Sequence, residues 1–296
     1  MQEQEQKQAV SLVSPRKRFS REEIRERLAR QTGEGRPILA VDAGIGLVSK
    51  MAEASGISLI FATAEARFRM MGLPSCCSYA ALGNANDLAL EALGKAVRMA
   101  RHTPVLAGIC PGDPVREPEL LLKQMRELGA DGIVIGLPGG NGFGEKLDRD
   151  VAGSVLHSQA DLELLQLASQ MDFYTAAVCQ DGAFAARAAE YGADLIIAHV
   201  GFTAGGMSGA CPDSVKTPEE TIGLVRDIRE RAGDVPVLCH GGCLNTPEIV
   251  QRCLEETGTM GFWGGSVFDR IPMEAAIGGT VSQLKALHLY SGEGSL

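Results

Sequence analysis

The sequence has few aromatic residues, no excess of positive charge and no apolar run long enough to cross a membrane. Aromatic residues make up 5% of the chain, with a single tryptophan. The 28 Lys and Arg are outnumbered by 37 Asp and Glu, giving a formal net charge of −9. Nucleic acid is bound through clustered cations. We therefore expect neither a nucleic-acid partner nor a membrane partner.

Metal-binding cysteine pairs and a secretory signal are also missing from the sequence. None of the eight cysteines forms a CxxC pair, so reduced thiols are predicted. The first nineteen residues are polar and have no apolar signal-peptide core. We expect a flexible N-terminal tail over residues 1–19 and a cytoplasmic location.

What the chain does contain is an alternation of short apolar runs with helix-like segments. A run without polar alternation is typical of a strand buried on both faces, and strand–helix alternation predicts parallel pairing. Residues 20–296 are therefore predicted to form one α/β domain, a (β/α)8 TIM barrel, preceded by an extra helix that begins near Ser20. The predicted strands are Ile38–Ala43, Ile57–Thr63, Pro104–Ile109, Gly132–Leu137, Tyr174–Val178, Leu195–Val200, Pro236–Cys239 and Gly261–Trp263.

In this fold the chemistry lies at the carboxyl ends of the strands, and two glycine pairs fall there. Gly241 and Gly242 follow the seventh predicted strand, and Gly264 and Gly265, with Ser266 next, follow the eighth. Loops in these places often bind phosphate through backbone N–H groups. We predict a phosphate site here. The alternative is that the glycines only form tight turns.

Charged residues follow the second predicted strand. Continued strand alternation would place Glu65 and Arg67 on one side, with Arg69 further along. An arginine fork suits a carboxylate or a phosphate, and a glutamate suits proton transfer. We predict Glu65 and Arg67 as catalytic residues and Arg69 as a substrate ligand. A Glu–Arg pair that closes the barrel top is the alternative.

Two histidines and an aspartate complete the candidate site. His199 and His240 lie at the ends of the sixth and seventh strands, where both imidazoles could face one pocket. We predict both as catalytic residues; the alternative is that they are core residues. Asp42 ends the first strand and could cap a turn instead. If Asp42 and Glu65 converge, they could bind Mg2+ or another divalent metal. Gly44 and Gly46 lack the third glycine of a dinucleotide fingerprint, so no nucleotide cofactor is expected.

These motifs together resemble the phosphoenolpyruvate hydrolase-like TIM-barrel family, which also occurs as the carboxy-terminal domain of a plant antiviral resistance protein. The resemblance covers roughly residues 36–287. It rests on AGIGLVSK (43–50), ARFRMMG (66–72), LGNAND (82–87), PVLAGICPGDPVR (104–116), GADLIIAHVGFTAGG (192–206), VLCHGG (237–242) and GFWGGSVFDRIPMEAAI (261–277).

The resemblance implies an enzyme that acts on a small anionic metabolite, a phosphorylated or carboxylated oxoacid, by hydrolysis or by C–C or C–P bond cleavage. It also implies a homo-oligomer. A ligand-binding barrel without catalysis and an isomerase or aldolase that uses the same phosphate site are the alternatives. The helix predicted at Met273–Leu287 has apolar residues at helical spacing, which we assign to the barrel wall rather than to a subunit contact.

Overall fold

Eight parallel strands form a closed barrel in chain order, as predicted. The computed structural model describes residues 15–80, 82–136 and 145–289. Each strand pairs with the next along the chain, and the last pairs with the first through Ile38 and Gly261. The strands are β1 Ile38–Asp42, β2 Leu59–Ala62, β3 Val105–Ile109, β4 Gly132–Ile135, β5 Tyr174–Cys179, β6 Leu195–His199, β7 Val237–His240 and β8 Gly261–Gly264.

The strand ends differ from the predicted ones by one or two residues. The largest difference is in β2, which begins at Leu59 and ends before Thr63, because Thr63 caps the helix that follows. The predicted end of the fourth strand, Leu137, lies outside the described residues. All eight cysteines are free thiols, as expected.

Helices alternate with the strands on the outside of the barrel. None of the helices in the described ranges combines the length and apolar character needed to cross a membrane. Short 3-10 turns occur at Ser75–Tyr79 and Pro212–Ser214. The α-helices are α1 Arg21–Gly33, α2 Gly46–Ala54, α3 Ala64–Met70, α4 Ala85–Met99, α5 Pro118–Leu128, α6 Glu145–Asp150, α7 Ser158–Gln170, α8 Gly182–Glu190, α9 Pro218–Arg231, α10 Pro247–Thr257 and α11 Arg270–Lys285.

The extra helix α1 closes the amino-terminal end of the barrel. Ser20 and Glu23 form the capping box that the sequence indicates. Ile24 and Leu28 of this helix are buried in the same apolar cluster as the interior strand residues, which include Trp263. Helix α1 thus covers the interior residues at the amino-terminal end of the barrel.

The segment just before α1 is anchored, although the sequence predicts a flexible tail up to residue 19. The Arg16 guanidinium donates to both carboxylate oxygens of Asp131 and to the carbonyl oxygens of Ala100, Gly129 and Thr103. A buried aspartate at a strand start needs a cationic donor, and Arg16 supplies it. The rest of the predicted tail, residues 1–14, lies outside the described part of the chain.

Helix α11 extends from the barrel with only Arg270 buried. Its apolar residues are exposed, with Ile277 at 61%, Val281 at 50% and Leu284 at 60%. The assignment of this apolar spacing to the barrel wall is therefore wrong. A periodic apolar face indicates that something covers it, but does not identify the covering surface.

Candidate active site

Residues from β1, β6, β7 and β8 and from the segment after β2 surround a narrow cavity at the carboxyl end of the barrel. The open space within this cavity is about 20 Å³, which holds about one water molecule. The structure thus brings together most of the predicted site residues. The lining residues are Asp42, Glu65, Arg69, Ser75, His199, Phe202, Thr203, His240, Trp263, Gly265 and Ser266.

Glu65 and Arg69 share the cavity because the segment after β2 is a helix. Thr63 caps α3, its side-chain oxygen accepting from the N–H of Ala66 at 3.2 Å. Residues four apart lie on one helix face, whereas strand alternation would have paired Glu65 with Arg67. The prediction from strand alternation is therefore wrong.

Arg67 lies on the other face of α3, away from the cavity. Its guanidinium donates Nε and Nη2 to the two carboxylate oxygens of Glu91 on α4, both at 3.0 Å. This pair is near the surface, with 44% of the Glu91 side chain exposed. The predicted Glu65–Arg67 pair is thus not formed. The ion pairs at the cavity are instead those of Arg69 with Asp42 and Asp269.

Arg69 is a buried cation held between two buried carboxylates. Its Nη2 donates to Asp42 at 2.8 Å and its Nε to Asp269 at 2.7 Å, while Nη1 donates to the hydroxyl of Ser75 at 3.0 Å. A guanidinium has five N–H donors, so two remain without an acceptor among the described residues. Since Arg69 lines the cavity, those two donors suit an anionic ligand.

Asp42 is fully engaged on the wall of the cavity. The Thr63 hydroxyl lies 2.8 and 2.9 Å from its two carboxylate oxygens, and Arg69 donates to one of them. Burial raises the pKa of Asp42 above its ordinary value, and the positive charge of Arg69 opposes that rise. Asp42 thus orients Arg69 and Thr63.

Glu65 differs from Asp42 because its carboxyl group has no hydrogen-bond partner. The residue is 4% exposed, and neither carboxyl oxygen makes a hydrogen bond. Burial and the nearby charge of Asp42 raise its pKa to about 7. A carboxyl group with this pKa can both take up and release a proton near neutral pH.

The hydrogen bonds of His240 determine which of its ring nitrogens carries the proton. Nδ1 lies 2.7 Å from the carbonyl oxygen of Trp263. A carbonyl oxygen only accepts, so Nδ1 donates and Nε2 of the neutral ring is an acceptor. Burial, with His199 next, lowers the pKa of His240, so the neutral form prevails at pH 7.

His199 is held in the opposite tautomer. The N–H of Gly201 donates to Nδ1 of His199 at 3.1 Å, so the proton of the neutral ring is on Nε2. Burial lowers the pKa of His199 to about 4. The ring centroids of His199 and His240 are 5.1 Å apart. The two imidazoles therefore offer one N–H donor and one nitrogen acceptor side by side.

The two predicted glycine pairs have different environments. Gly265 and Ser266 line the cavity, and a Cβ added at Gly265 would lie 3.3 Å from Nη2 of Arg69. In contrast, the N–H of Gly242 donates to the carbonyl oxygen of Gly201 at 2.9 Å, and a Cβ at Gly241 would lie 2.0 Å from that oxygen. In the described structure, Gly241 and Gly242 thus form a tight turn outside the cavity lining.

Sequence reasoning missed Asp269, Trp263 and Ser75. Asp269 and Trp263 lie inside the GFWGGSVFDRIPMEAAI motif, but no spacing there indicates that Asp269 pairs with Arg69, 200 positions earlier, or that Trp263 stacks on His240. Ser75 begins the 3-10 turn that follows α3, and its contact with Arg69 likewise depends on the folded barrel.

A wider cavity adjoins the narrow one. It has a volume of about 310 Å³ and shares His199 and Phe202 with the inner cavity. Phe202 packs edge-to-face against His199 and Tyr79, with ring centroids 6.0 and 5.9 Å apart. Lys216 lines the outer cavity as well. Phe202 therefore separates a larger outer space from the polar inner one.

The described residues do not offer the oxygen ligands that a divalent metal needs. They contain no cluster of three or more His, Cys, Asp or Glu side chains that could hold a metal ion. Asp42 and Asp269 are bound to Arg69, which leaves Glu65 with free oxygens.

Similarities to known proteins agree with this fold and with the motifs that form the site. The chain is 35% identical over 277 residues to the ToMV resistance protein Tm-1(GCR237) of Solanum lycopersicum, covering 90% of this chain and 36% of that protein. The chain thus spans little more than a third of the length of this curated relative.

Two solved structures share the barrel at lower identity. One is phosphonopyruvate hydrolase in complex with oxalate and Mg2+, with a TM-score of 0.60, 17% identity and 88% of each chain covered. The other is 2,3-dimethylmalate lyase, a PEP mutase/isocitrate lyase superfamily member, with a TM-score of 0.61, 15% identity, and 94% of this chain and 93% of that chain covered. A family model described as phosphoenolpyruvate hydrolase-like matches residues 23–287. The chain therefore belongs to the phosphoenolpyruvate hydrolase-like family.

Proposed function

We propose that the chain is an enzyme that cleaves a C–C or C–P bond of a small phosphorylated or carboxylated oxoacid, by hydrolysis or by elimination. The observation that carries this proposal is Glu65, a buried carboxyl group without a partner, in one cavity with the cation Arg69 and two neutral imidazoles. Buried polar atoms are rarely left unpaired without a functional reason. Here the reason is proton transfer to or from a substrate.

Arg69 binds the anionic end of the substrate. Its two remaining N–H groups supply charge-assisted hydrogen bonds to a carboxylate or phosphate. Gly265 has no side chain, so the ligand can lie close to the guanidinium, and Ser266 adds a hydroxyl at the same edge. The same donors stabilise negative charge that develops on an enolate oxygen when the bond breaks. Arg67 has no role in this step because it is paired with Glu91.

Three groups take part in proton transfer and in hydrogen bonding to the substrate. Glu65 takes it up or delivers it, since its pKa of about 7 leaves both forms populated at neutral pH. His199 donates a hydrogen bond from Nε2 to a substrate oxygen, and His240 accepts one at its own Nε2. Substrate enters through the outer cavity of about 310 Å³ and displaces Phe202 to reach them.

The substrates of two structural neighbours support this substrate class. One neighbour is a phosphonopyruvate hydrolase with oxalate bound, and another is a 2,3-dimethylmalate lyase. Both names describe small acids that carry a carboxylate. The divalent metal expected from Asp42 and Glu65 has no ligand set among the described residues, and the proposed roles of Arg69, Glu65 and the two histidines do not require it.

The test is a screen of purified protein against phosphonopyruvate, phosphoenolpyruvate, oxaloacetate and 2,3-dimethylmalate, with added Mg2+ or with EDTA. Products are identified by NMR, which separates hydrolysis from lyase, aldolase and isomerase chemistry. On a turned-over substrate we expect E65Q to lower kcat/KM by about 10²–10⁴-fold. The matched control R67K, on the same helix, should keep kcat/KM within about twofold. No product from any acid in either condition would refute the proposal.

A second candidate is a ligand-binding barrel without catalysis. The similarity to a resistance protein supports it. On this alternative, oxoacids would raise the melting temperature of the protein, the E65Q variant would retain that stabilisation, and no product would form. If E65Q abolishes consumption of a ligand that the wild-type protein converts, the enzyme assignment is correct instead.

We also propose that the chain is a homo-oligomer, with α11 as the contact. The helix exposes Ile277, Val281 and Leu284, and α2 exposes Leu47 at 59% and Met51 at 56%. The helix after β8 would normally cover the wall beside α2, because β8 pairs with β1. Two uncovered apolar faces of one chain are complementary to those of a second copy.

A further inference from the structure

Arg69 lies where carboxylates of separate barrel elements meet. Asp42 ends β1 and Asp269 precedes α11, and both are buried, at 1% and 0% exposure. They accept hydrogen bonds from two nitrogens of the same guanidinium, at 2.8 and 2.7 Å. The hydroxyl of Ser75 accepts from the third nitrogen at 3.0 Å. Three oxygen atoms therefore surround one cationic group.

Oxygen donors of this kind are the ligands of Mg2+ and Mn2+ in proteins. Here a cation from within the chain already pairs with both carboxylates and offsets part of their charge. Buried carboxylates without a cation or donors would be strongly destabilised. The Thr63 hydroxyl completes the partners of Asp42, and the N–H of Arg270 donates to Asp269. The carboxylates are thus satisfied without any ion.

We propose that the Arg69 guanidinium is the resident cation of this site and takes the place of a divalent metal, so that the site binds its anionic ligand without one. The guanidinium forms ion pairs with both Asp42 and Asp269 and presents its two remaining N–H groups to the cavity. A bound metal would offer exchangeable coordination positions at the same place. The site therefore recognises anions by directed hydrogen bonds.

The proposal makes Arg69 the barrier to metal binding, and this can be measured without any substrate. Mn2+ binding is followed by the loss of the free-ion EPR signal, and stability by thermal unfolding in EDTA or in millimolar Mn2+. The wild-type protein should bind no Mn2+ at this site. In R69Q the carboxylates lose their cation, so one Mn2+ should bind per chain, and Mn2+ should raise the melting temperature.

The matched control is R67Q, which removes the same charge two residues away on the same helix. It should bind no Mn2+, because Glu91 is a single exposed carboxylate that stays paired with Lys95. Adding D42N to R69Q should weaken Mn2+ binding at least about tenfold, as expected when a carboxylate ligand of a hard cation is lost. If R69Q unfolds in EDTA, recovery of the fold in Mn2+ supports the proposal.

Three results would overturn the inference. The first is one Mn2+ bound per wild-type chain and weakened by D42N. The second is folded R69Q that gains no Mn2+ site. The third is R69Q that remains unfolded in both EDTA and Mn2+. The inference concerns the proposed active site, but its test measures metal binding and folding alone. A failed substrate screen would therefore leave it standing, and a wild-type Mn2+ site would leave the proposed activity standing.

Discussion

His240 is fixed by Trp263 in two ways at once. The imidazole stacks on the indole with ring centroids 4.1 Å apart and an interplanar angle of 21°, and Nδ1 lies 2.7 Å from the carbonyl oxygen of the same tryptophan. The stack fixes the plane of the ring, and the hydrogen bond fixes its tautomer. His240 therefore reaches the cavity as a preoriented acceptor, beside the donor of His199.

The first prediction concerns the protonation of these two rings. In 15N-labelled protein, imidazole NMR spectra should show the proton on Nδ1 of His240 and on Nε2 of His199. Both should stay neutral from pH 8 to pH 5, because burial lowers both pKa values and that of His199 lies at about 4. H199Q and H240Q spectra assign the signals. The same tautomer on both rings, or a titration near pH 6.5, would contradict the arrangement.

The second prediction uses the raised pKa of Glu65, which goes from 4.5 in the unfolded chain to about 7 in the fold. Between these values the folded protein keeps the proton that the unfolded chain releases. The free energy of unfolding therefore falls as the pH rises from 4.5 to 7, by about 3 kcal/mol from this group. E65Q removes this loss. The free energy of unfolding of E65Q minus that of wild type should therefore grow as the pH rises over that interval, and it should stay constant above it.

Urea unfolding at a series of pH values measures the effect. The two histidines destabilise both proteins equally at low pH, so the difference between wild type and E65Q isolates Glu65. The control is E119Q, at an exposed glutamate paired with Lys123, which should show a small and nearly constant difference. A constant difference between E65Q and wild type would mean that Glu65 is not held as a buried acid.

The barrel could be predicted from the sequence because each strand is buried on both faces and therefore reads as an unbroken apolar run. The convergence of Glu65, His199, His240 and Gly265 followed from the fold, since strand carboxyl ends meet at one rim. The role of Arg67 could not be predicted correctly. Thr63 follows β2 directly, and its hydroxyl caps α3. The side-chain period therefore changes from two to 3.6 at this residue.

The pairing of Arg69 with Asp269 could not be predicted from local sequence patterns, for a different reason. The two residues are 200 positions apart and meet only when β8 closes against β1. A sequence pattern reports which face of an element is apolar, but not which distant charge it will meet. The sequence pattern of α11 likewise does not report which surface covers the helix, because the same apolar spacing occurs in a barrel wall and in a subunit contact.

The third prediction uses the single tryptophan of the chain. Trp263 lines the inner cavity and stacks on His240, so an anion bound to Arg69 should change its fluorescence. Titration with oxalate should give a saturable change. R69K should weaken the apparent affinity about tenfold, since lysine cannot reproduce the planar fork. R67K should titrate like wild type. Equal affinities for R69K and wild type would remove Arg69 from the anion site.

The last prediction concerns the surface of α11. I277E with V281E places two charges on its exposed apolar face, and a charged residue in an apolar contact opposes association because it must be desolvated. Light scattering should give an oligomer for wild type and a monomer for the double variant. The stability of the isolated barrel should change little, because both side chains are exposed.

The control for this experiment lies on the opposite face of the same helix. Ser282 is exposed, and its hydroxyl donates to the carbonyl oxygen of Gly278 within α11. S282E adds charge to the helix without changing the apolar face, so it should remain an oligomer. A monomeric wild type would refute the oligomer. Dissociation of S282E as readily as of the double variant would mean that added charge, and not the apolar face of Ile277 and Val281, controls assembly.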